Sequence, residues 1–275
     1  MPELPEVETV ANGVHERVHG QRVTAVWTSG KPQTFKSTEQ EIVDVLTGAR
    51  IDSVRRVGKT IVMTLERESD ALQHSLHAEF LVHLGMTGRL LVSTPEVALP
   101  AHTHAVLSLS GGQELRFVDA RRFGRLSVKT QERYGGPGLE PLLISEAAFL
   151  QLFKGRKTPI KAALLNQSLL HGVGNIYADE SLFRAGIRPR RPAARLTRKE
   201  LLTLRAALID VLKHAIELGG SSVSDYVDAD GVRGFFQLEH RVYMRTGKPC
   251  MVCETPIKKI VVGGRSTHFC PICQR

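Results

Sequence analysis

Residues 157–180, KTPIKAALLNQSLLHGVGNIYADE, carry the pattern that decides the fold. Apolar residues recur at helical spacing on both sides of HGVGN, so the stretch predicts two helices joined by a glycine-rich turn. Asn175 is predicted to cap the second helix, and the positive end of that helix, together with the N–H groups of the glycines, suits a phosphate. An ordinary helical hairpin without a ligand is the alternative. Lys157 and Lys161, close to the turn, favour the phosphate.

The chain on either side of this helix pair shows different periodicities. Residues 5–18 predict a helix, and residues 21–130 contain eight short β-rich runs separated mostly by Gly, Ser or Pro, which predicts a β-sandwich or a barrel. Residues 197–219 form the clearest amphipathic helix. The Pro/Gly break YGGPGLEPL at 134–142 is the predicted domain boundary, and residues 67–78 are predicted to be an exposed loop.

Composition restricts the class of protein and of partner. The 275 residues are 42% apolar, which is typical of globular proteins, and they contain no apolar run of about 18 residues that would predict a transmembrane helix. The start of the chain lacks the basic and apolar segments of a secretory signal, so a cytosolic location is expected. The formal charge of +9 indicates a polyanion partner, most often nucleic acid. A basic protein with no such partner is the alternative.

All four cysteines lie near the C-terminus, in two C-x2-C pairs separated by sixteen residues. This spacing is typical of a structural zinc site, in which two turns present four thiolates to one ion and leave no position open for water. Disulfides are disfavoured in a cytosolic chain, and a thioredoxin-type motif needs only one such pair beside a βαβ unit. The segment between the pairs predicts a β-hairpin with Arg265 at or just after its tip. The predicted ligands are Cys250, Cys253, Cys270 and Cys273.

The chain opens with MPELPEVETV, which places Pro2 and Glu3 ahead of the first predicted helix. Removal of Met1 would leave Pro2 with a free secondary amine, and because α-amino groups titrate near about pH 8, a useful fraction is a neutral nucleophile at physiological pH. Such an amine can attack C1′ of a sugar and form an iminium, which acidifies the C2′ proton, and Glu3 could transfer protons beside it. The alternative is that both residues form only a frayed end before the helix.

Six motifs together resemble those of bacterial formamidopyrimidine-DNA glycosylases, and they run in the family's order along nearly the whole chain. They are MPELPEVETV, RRVGKTIV, HLGMTGRL, DARRFGRL, GVGNIYADESLFRAGIRP and RVYMRTGKPCMVC…GGRSTHFCPICQR. The resemblance implies a bifunctional glycosylase and AP lyase that removes 8-oxoguanine and ring-opened purines from duplex DNA. It also implies an N-terminal β-sandwich, a helix–two-turn–helix module and a zinc finger with one structural Zn²⁺.

The resemblance carries catalytic roles onto four residues. Pro2 matches the nucleophile that forms the Schiff base, and Glu3 matches the general acid and base at the sugar. Lys59, in VGKT, matches the lysine that supports β-elimination and contacts phosphate. Arg265, in GGRSTHFCP, matches the zinc-finger arginine that grips phosphates and is credited with δ-elimination. From the residues alone, a solvated positive face is the alternative for Lys59.

Three further residues match those that fill the gap left by an extruded nucleotide in this family: Met86, Arg121 and Phe123. Apolar wedges offset the cost of unstacking, and Arg121 can offer donors to the orphaned base, which would favour cytosine. Core packing is the alternative for Met86 and Phe123, and a solvated positive face is the alternative for Arg121. Ala120 stands where the family usually has proline, which predicts a looser loop.

Four more positions complete the predicted DNA-binding set. Glu6 matches the second acid of the opening motif, and His102, Lys157 and Asn175 match further DNA-contacting positions. Residues 220–222, Gly-Ser-Ser, stand where the family usually has threonines in the loop associated with the flipped base. This departure bears on substrate preference and not on reaction type.

The expected architecture is an α+β multidomain fold. Its expected parts are an N-terminal catalytic β-sandwich domain with a flanking helix (1–134), a helix–two-turn–helix DNA-binding domain (135–225), and the end of the lesion loop with the zinc-finger β-hairpin (226–275). The expected partner is double-stranded DNA that contains an oxidised purine or an abasic site, preferably opposite cytosine. The protein is expected to act as a monomer in the bacterial cytoplasm, at the nucleoid, without membrane association.

Two other functions are weighed against this one. The first is the same chemistry on oxidised pyrimidines, as in endonuclease VIII, although the PELPEVE start resembles the formamidopyrimidine branch. The second is a non-catalytic zinc-ribbon protein that binds damaged DNA. The intact set of Pro2, Glu3, Lys59 and Arg265 argues against the second alternative.

Overall fold

The computed structural model describes residues 1–67, 76–223 and 226–275. The chain forms two compact units, one of Met1–Gly135 with Gly219–Gly234 and the other of Gly136–Leu218 with Phe235–Arg275. No helix in the described part of the chain has both the length and the apolarity needed to cross a membrane.

The described residues of the first unit form eight strands, at the positions of the eight predicted β-rich runs. They are β1 (Val23–Thr28), β2 (Arg50–Val57), β3 (Thr60–Arg67), β4 (Leu76–His83), β5 (Arg89–Ser93), β6 (Thr103–Leu109), β7 (Glu114–Val118) and β8 (Arg125–Lys129). Every paired strand is antiparallel to its neighbour. One sheet has the order β1–β6–β7–β5 and the other the order β2–β3–β4–β8.

One apolar core joins the two sheets to the first helix, α1 (Leu4–Val18). Ile51 and Phe80 come from one sheet, Leu107 and Phe117 come from the other, and Val10 comes from α1. A second helix, α2 (Glu39–Leu46), adds further apolar residues to this core. Burying the inner faces of both sheets in one core is the packing of a β-sandwich, so the predicted N-terminal architecture is confirmed.

The predicted exposed loop at 67–78 is wrong at both ends. Arg67 is the last residue of β3, and it pairs with Leu76, the first residue of β4. Backbone pairing therefore extends beyond the apolar run that the sequence shows, because ladder hydrogen bonds do not depend on side-chain polarity. The central part of the predicted loop, 68–75, lies outside the described residues.

The second unit is helical and ends in a β-hairpin. Its helices are α3 (Glu146–Phe153), α4 (Ile160–Leu164), α5 (Asn175–Arg184) and α6 (Arg198–Glu217), with short 3-10 helices at Ala193–Arg195 and Phe236–Glu239. Its hairpin pairs β9 (Lys258–Val262) with β10 (Arg265–Phe269). The predicted N-cap of α3, Ser145, and the predicted capping box of α6, Thr197 with Glu200, are both present.

The helix predicted before the glycine-rich turn is shorter than expected, since α4 ends at Leu164. The side chain of Gln167 explains the early end, because its amide donates to the carbonyls of Leu165 (2.9 Å) and Val173 (2.8 Å) and accepts from the Gly172 N–H (3.0 Å). In a continued helix, hydrogen bonds within the helix would have satisfied these backbone groups. In the turn, the Gln167 side chain satisfies them instead. Two short turns therefore separate α4 from α5.

Candidate active site and zinc centre

The first candidate site lies at the start of α1. Pro2 is buried, and Glu3, the residue that precedes the helix, is only 4% exposed. Glu3 and Glu6 form a reciprocal capping box, in which the Glu3 N–H donates to Glu6 Oε2 at 2.8 Å. The positive end of the helix favours carboxylates at these two positions. The structure thus holds the Pro2–Glu3 pair in a defined, buried conformation rather than as a frayed end.

Glu6 also ties this helix start to a distant loop within the same unit. Its Oε1 accepts a hydrogen bond from the Ser221 N–H at 2.7 Å, and the Tyr226 hydroxyl donates to the Glu6 carbonyl at 3.3 Å. Burial and the negative charge of Glu6 raise the pKa of Tyr226, so the phenol stays a neutral donor. Gly220 has φ +80°, and a Cβ there would lie 2.9 Å from Glu6 Oε1. The close approach of this loop to Glu6 therefore requires glycine.

Replacing Gly220 by alanine should separate Glu6 from the loop. The left-handed backbone alone costs about 1–2 kcal/mol for an alanine, and the contact with the buried Glu6 carboxylate adds roughly 1–3 kcal/mol. Gly231→Ala is the matched control, because Gly231 has φ +79° in the same segment and nothing lies within 4 Å of its added Cβ. Urea unfolding of the two variants should show the larger loss for G220A. Equal losses would mean that the Glu6 contact contributes nothing.

Lys59 occupies the turn between β2 and β3, directly after Gly58, and is partly buried. Arg56, at the end of β2, forms an ion pair with Glu8 of α1 and donates to the Gly58 carbonyl at 3.3 Å. These contacts bring the Lys59 turn and the helix of the Pro2–Glu3 site together. Burial and the positive charges of Lys59 and Arg125 lower the pKa of His83, which indicates a positive local field that suits a phosphate.

The three predicted gap-filling residues lie on two neighbouring turns of the first unit. Met86, between β4 and β5, is 41% exposed, and Phe123, between β7 and β8, is 43% exposed. The Arg121 guanidinium stacks over the Phe123 ring, 4.7 Å from its centroid. Core packing is therefore the wrong interpretation for Met86 and Phe123, because large apolar side chains in a core would be covered. His102, also exposed, precedes β6 with φ 65°.

In the second unit, Asn175 and Arg265 lie close together. Asn175 is the first residue of α5 and not its cap, which is Gly174. The Asn175 side-chain amide donates to the carbonyl of Ser266 at 2.9 Å, and Ser266 follows Arg265 in β10. Arg265 is exposed and comes directly after Gly263 and Gly264 (φ 58° and 72°), which confirms its predicted place at the hairpin tip.

Lys157 is exposed, whereas Lys161 is buried and does not present its ammonium to a phosphate. Lys161 Nζ lies 2.7 Å from the equally buried Asp179 Oδ1 and donates to the Ser266 carbonyl (2.9 Å) and the Thr267 hydroxyl (2.8 Å). The expectation that Lys161 favours phosphate at the glycine-rich turn is therefore wrong. A desolvated ammonium needs such partners, and here they join α4 to the hairpin that carries Arg265.

The four cysteine sulfurs form a compact cluster in which all four Sγ atoms lie within 4.8 Å of one another. The Sγ atoms of Cys250 and Cys273 are 3.9 Å apart, and those of Cys253 and Cys270 are 3.4 Å apart. Thiolates at the corners of a tetrahedron around zinc are roughly 3.8 Å apart. Hydrogen bonds from Thr255 lower the pKa of Cys253 to about 6, whereas burial raises the pKa of Cys270 and of Cys273. The donor set fits one structural Zn²⁺ with four protein ligands.

The apolar core around these cysteines is small. Among the described residues, Phe183, Val242 and Ile257 are the ones that join the cysteines in this cluster. Gln274 adds a polar link, since it accepts from the Cys270 N–H and donates to the Ile187 carbonyl, both at 2.9 Å. Few apolar contacts combined with four convergent thiolates are typical of a zinc finger, whose folding depends on its metal.

Three family models match consecutive parts of this chain. The formamidopyrimidine-DNA glycosylase N-terminal domain matches residues 1–126, the formamidopyrimidine-DNA glycosylase H2TH domain matches residues 138–227, and a zinc finger found in FPG and IleRS matches residues 247–275. The chain belongs to the formamidopyrimidine-DNA glycosylase family. The predictions of the family, the fold class and one structural zinc are therefore confirmed for this glycosylase.

Curated relatives and solved structures agree over the full length. A formamidopyrimidine-DNA glycosylase of Solibacter usitatus is 44% identical and one of Gluconobacter oxydans is 42% identical, with 100% of each chain covered. The crystal structure of MutM (Fpg) from Thermus thermophilus has TM-score 0.84 at 41% identity, covering 99% of this chain and 98% of that chain. Lactococcus lactis Fpg in complex with DNA containing an abasic site has TM-score 0.87 at 31% identity, with 99% of both chains covered. The predicted class of enzyme, a DNA repair glycosylase with the lyase step of its family, is confirmed.

Three residues that support this site were not predicted from the sequence to do so. Asp119, Ser221 and Tyr226 each bond to a segment that carries a predicted site residue. A signal for Asp119 was present, because it is an acid placed directly at the end of an apolar strand in DARRFG. Ser221 acts through its backbone N–H. Every residue except proline has this group, so the residue type gave no signal.

Proposed function

We propose that this glycosylase excises oxidised purines, 8-oxoguanine and formamidopyrimidines, from duplex DNA and cuts the strand at the resulting abasic site. The observation that carries the proposal is the placement of Pro2 directly before the buried, helix-capping Glu3, at positions that the family resemblance assigns to nucleophile and acid–base. The relatives support the substrate class, since Lactococcus lactis structures hold DNA containing Fapy-dG or an abasic site.

Base release begins at the Pro2 nitrogen, once Met1 has been removed. Its lone pair forms a bond to C1′ of the damaged nucleotide and its proton is released. The bond from C1′ to the base breaks, and the base leaves with that electron pair and takes up a proton. The nitrogen lone pair then opens the C1′–O4′ bond to give an iminium, while Glu3 donates a proton to O4′.

Two eliminations follow from the iminium. Loss of a C2′ proton forms an enamine, whose electrons expel the phosphate at C3′, and Lys59 supports this step by balancing the charge of that phosphate. Loss of a C4′ proton then expels the phosphate at C5′, which Arg265 holds. One water hydrolyses the remaining iminium with release of a proton, so Pro2 is regenerated, an unsaturated five-carbon aldehyde leaves, and the gap carries phosphate at both ends.

Extrusion of the damaged nucleotide precedes this chemistry, because C1′ is not reachable inside the stack. We assign Met86 and Phe123 to the vacated space and Arg121 to the orphaned base, for which cytosine is preferred. His102, Lys157 and Asn175 contact the DNA backbone, and Glu6 fixes Glu3 and the loop at Ser221. The exposure of Met86 and Phe123 supports this assignment.

We also propose a division of the chain into three functional segments. The segments 1–134, 135–225 and 226–275 act as the catalytic domain, the helix–two-turn–helix domain, and the end of the lesion loop with the zinc finger. The protein works as a monomer in the bacterial cytoplasm, where it is associated with the nucleoid. Supporting this, its relatives are bacterial DNA repair enzymes.

The test is borohydride trapping on a duplex with 8-oxoguanine opposite cytosine, followed by peptide mapping of the adduct. The proposal expects one covalent adduct, on Pro2, and slower excision when another base replaces cytosine. An adduct on a lysine would overturn the mechanism, and tight binding without any adduct would support a non-catalytic damage-binding protein.

Oxidised pyrimidines are the second candidate substrate. A specific observation favours testing them, because a Lactococcus lactis Fpg structure is a complex with DNA containing an oxidised pyrimidine (TM-score 0.86, 30% identity). Single-turnover excision from matched 8-oxoguanine and thymine-glycol duplexes separates the two. Faster excision of thymine glycol would assign the enzyme to the endonuclease VIII type of substrate.

A further inference from the structure

A buried aspartate lies between the two turns that carry the gap-filling residues. Asp119 is 0% exposed and directly follows β7. Its Oδ1 accepts from the Thr87 hydroxyl at 2.5 Å and from the Arg121 N–H at 3.2 Å, and its Oδ2 accepts from the Gly124 N–H at 2.7 Å. Thr87 follows Met86, and Gly124 follows Phe123, so one carboxylate bonds beside each of the three gap-filling residues.

The backbone N–H and carbonyl of Asp119 also form hydrogen bonds that hold the turn of Arg121 and Phe123 in place. Its N–H donates to the carbonyl of His102 at 3.0 Å. Its carbonyl lies 3.0 Å from Nε2 of the buried His104, and since a carbonyl only accepts, this nitrogen is the donor. The turn that carries Arg121 and Phe123 is therefore held at its base by fixed hydrogen bonds from β6 and the residue before it.

The two turns touch directly where the carboxylate joins them. A Cβ added to Gly85 would lie 2.5 Å from both the Gly124 nitrogen and the Phe123 carbonyl carbon, and one added to Gly124 would lie 2.5 Å from Phe117 Cζ. No side chain fits between the turns, so they meet backbone to backbone. Hydrogen bonds to a charged, buried acceptor are stronger than those between neutral groups, which makes Asp119 well suited to keep the turns together.

We propose that Asp119 is the positioning residue that locks Met86, Arg121 and Phe123 into one preformed wedge. The proposal rests on the proposed function, in which these three side chains fill the space of the extruded nucleotide. Residues that enter the stack must keep their relative positions without support from the DNA, and preorganisation removes the cost of ordering them on binding. Asp119 touches no reacting atom, so its loss acts on extrusion and not on the covalent steps.

Asp119→Asn is the test, because asparagine keeps the volume of aspartate but has only one accepting oxygen. The wedge is followed by the fluorescence of 2-aminopurine placed opposite a tetrahydrofuran abasic analogue in a duplex, which needs no chemistry. We expect the rise in fluorescence on saturation with enzyme to fall to less than half of the wild-type rise. Single-turnover excision of 8-oxoguanine should fall at least tenfold, while borohydride trapping on a single-stranded oligonucleotide with an aldehydic abasic site stays within twofold.

Two further variants keep the result interpretable. Thr87→Val removes one donor to Asp119 and should give a smaller loss of the same kind. Glu79→Gln is the matched control, since Glu79 is a buried carboxylate of β4 that bonds Arg55 of β2 (2.8 Å) and the Tyr134 N–H (2.5 Å). It should lower stability without changing the fluorescence rise or the ratio of duplex excision to single-strand trapping.

The outcomes separate this inference from the proposed function. A wild-type fluorescence rise in Asp119→Asn, or an equal loss on both substrates, would overturn the positioning role. A wild-type protein that forms no adduct would overturn the proposed function, and the abasic-analogue fluorescence would still decide the role of Asp119.

Discussion

A residue left attached ahead of Pro2 will reduce strand cleavage about a thousandfold or more, because it turns the proposed nucleophile into an amide nitrogen. An amide lone pair is delocalised into the carbonyl, so the nitrogen neither attacks C1′ nor forms an iminium. The change removes covalent catalysis itself, whereas substitution of a phosphate contact weakens only binding. For this reason it is one of the two largest effects expected.

The measurement compares one protein before and after removal of an N-terminal extension by a protease that leaves Pro2 first. Borohydride trapping and cleavage of an 8-oxoguanine duplex should appear only after removal. Affinity for a duplex with an abasic analogue should change much less, since the cationic residues assigned to the phosphates are unaltered. Full cleavage by the extended chain would show that Pro2 is not the nucleophile.

The local structure explains why the start of α1 suits this chemistry. An iminium at a helix N-terminus meets the positive end of the dipole, which is unfavourable. Two buried carboxylates, Glu3 and Glu6, lie at that same end and offset the effect. The capping box keeps both of them in place, so Glu3, the residue proposed as the acid at the sugar, is held before the substrate arrives.

Loss of the zinc ion is the second large effect. Cys270→Ser should remove the bound zinc and lower the affinity for damaged duplex DNA at least about a hundredfold, because binding of a structural Zn²⁺ supplies roughly 10 kcal/mol or more to folding of such fingers. Ile257 and Cys270, which flank the β9–β10 hairpin, belong to the small apolar core around the four cysteines. Without the ion, the two C-x2-C turns that flank the hairpin carrying Arg265 lose their common ligand, and the finger loses the contribution of the metal to its folding.

Metal content by mass spectrometry and DNA affinity by fluorescence anisotropy test this expectation. Val252→Ser is the matched control, since Val252 lies inside the same C-x2-C turn and is 72% exposed. It should keep one zinc per chain and wild-type affinity. A Cys270→Ser protein that binds DNA with wild-type affinity would show that the finger does not depend on its metal.

The local elements of this protein follow from its sequence because neighbouring residues determine them. Short β-rich runs separated mostly by Gly, Ser or Pro located the eight strands of the first unit, and Thr197 with Glu200 located the start of α6. The spacing of the cysteines identified the zinc ligands, because two C-x2-C turns leave few other ways to use four thiols. The candidate residues were found by motif, and their roles in catalysis and DNA binding remain predictions.

The contacts between distant segments were decided only by the tertiary structure. Lys161 resembles any surface lysine in sequence, but packing of α4 against the hairpin buries it with Asp179. Glu6 is hydrogen-bonded to Ser221, which is 215 positions away in the sequence, and Asp119 is hydrogen-bonded to Thr87, which is 32 positions away. Which residues become partners depends on strand register and on the path of each loop through space. The type of a residue carries no information about either. The sequence therefore determined which chemical groups and local elements this protein has, and tertiary packing decided which of those groups are buried and what they hold in place.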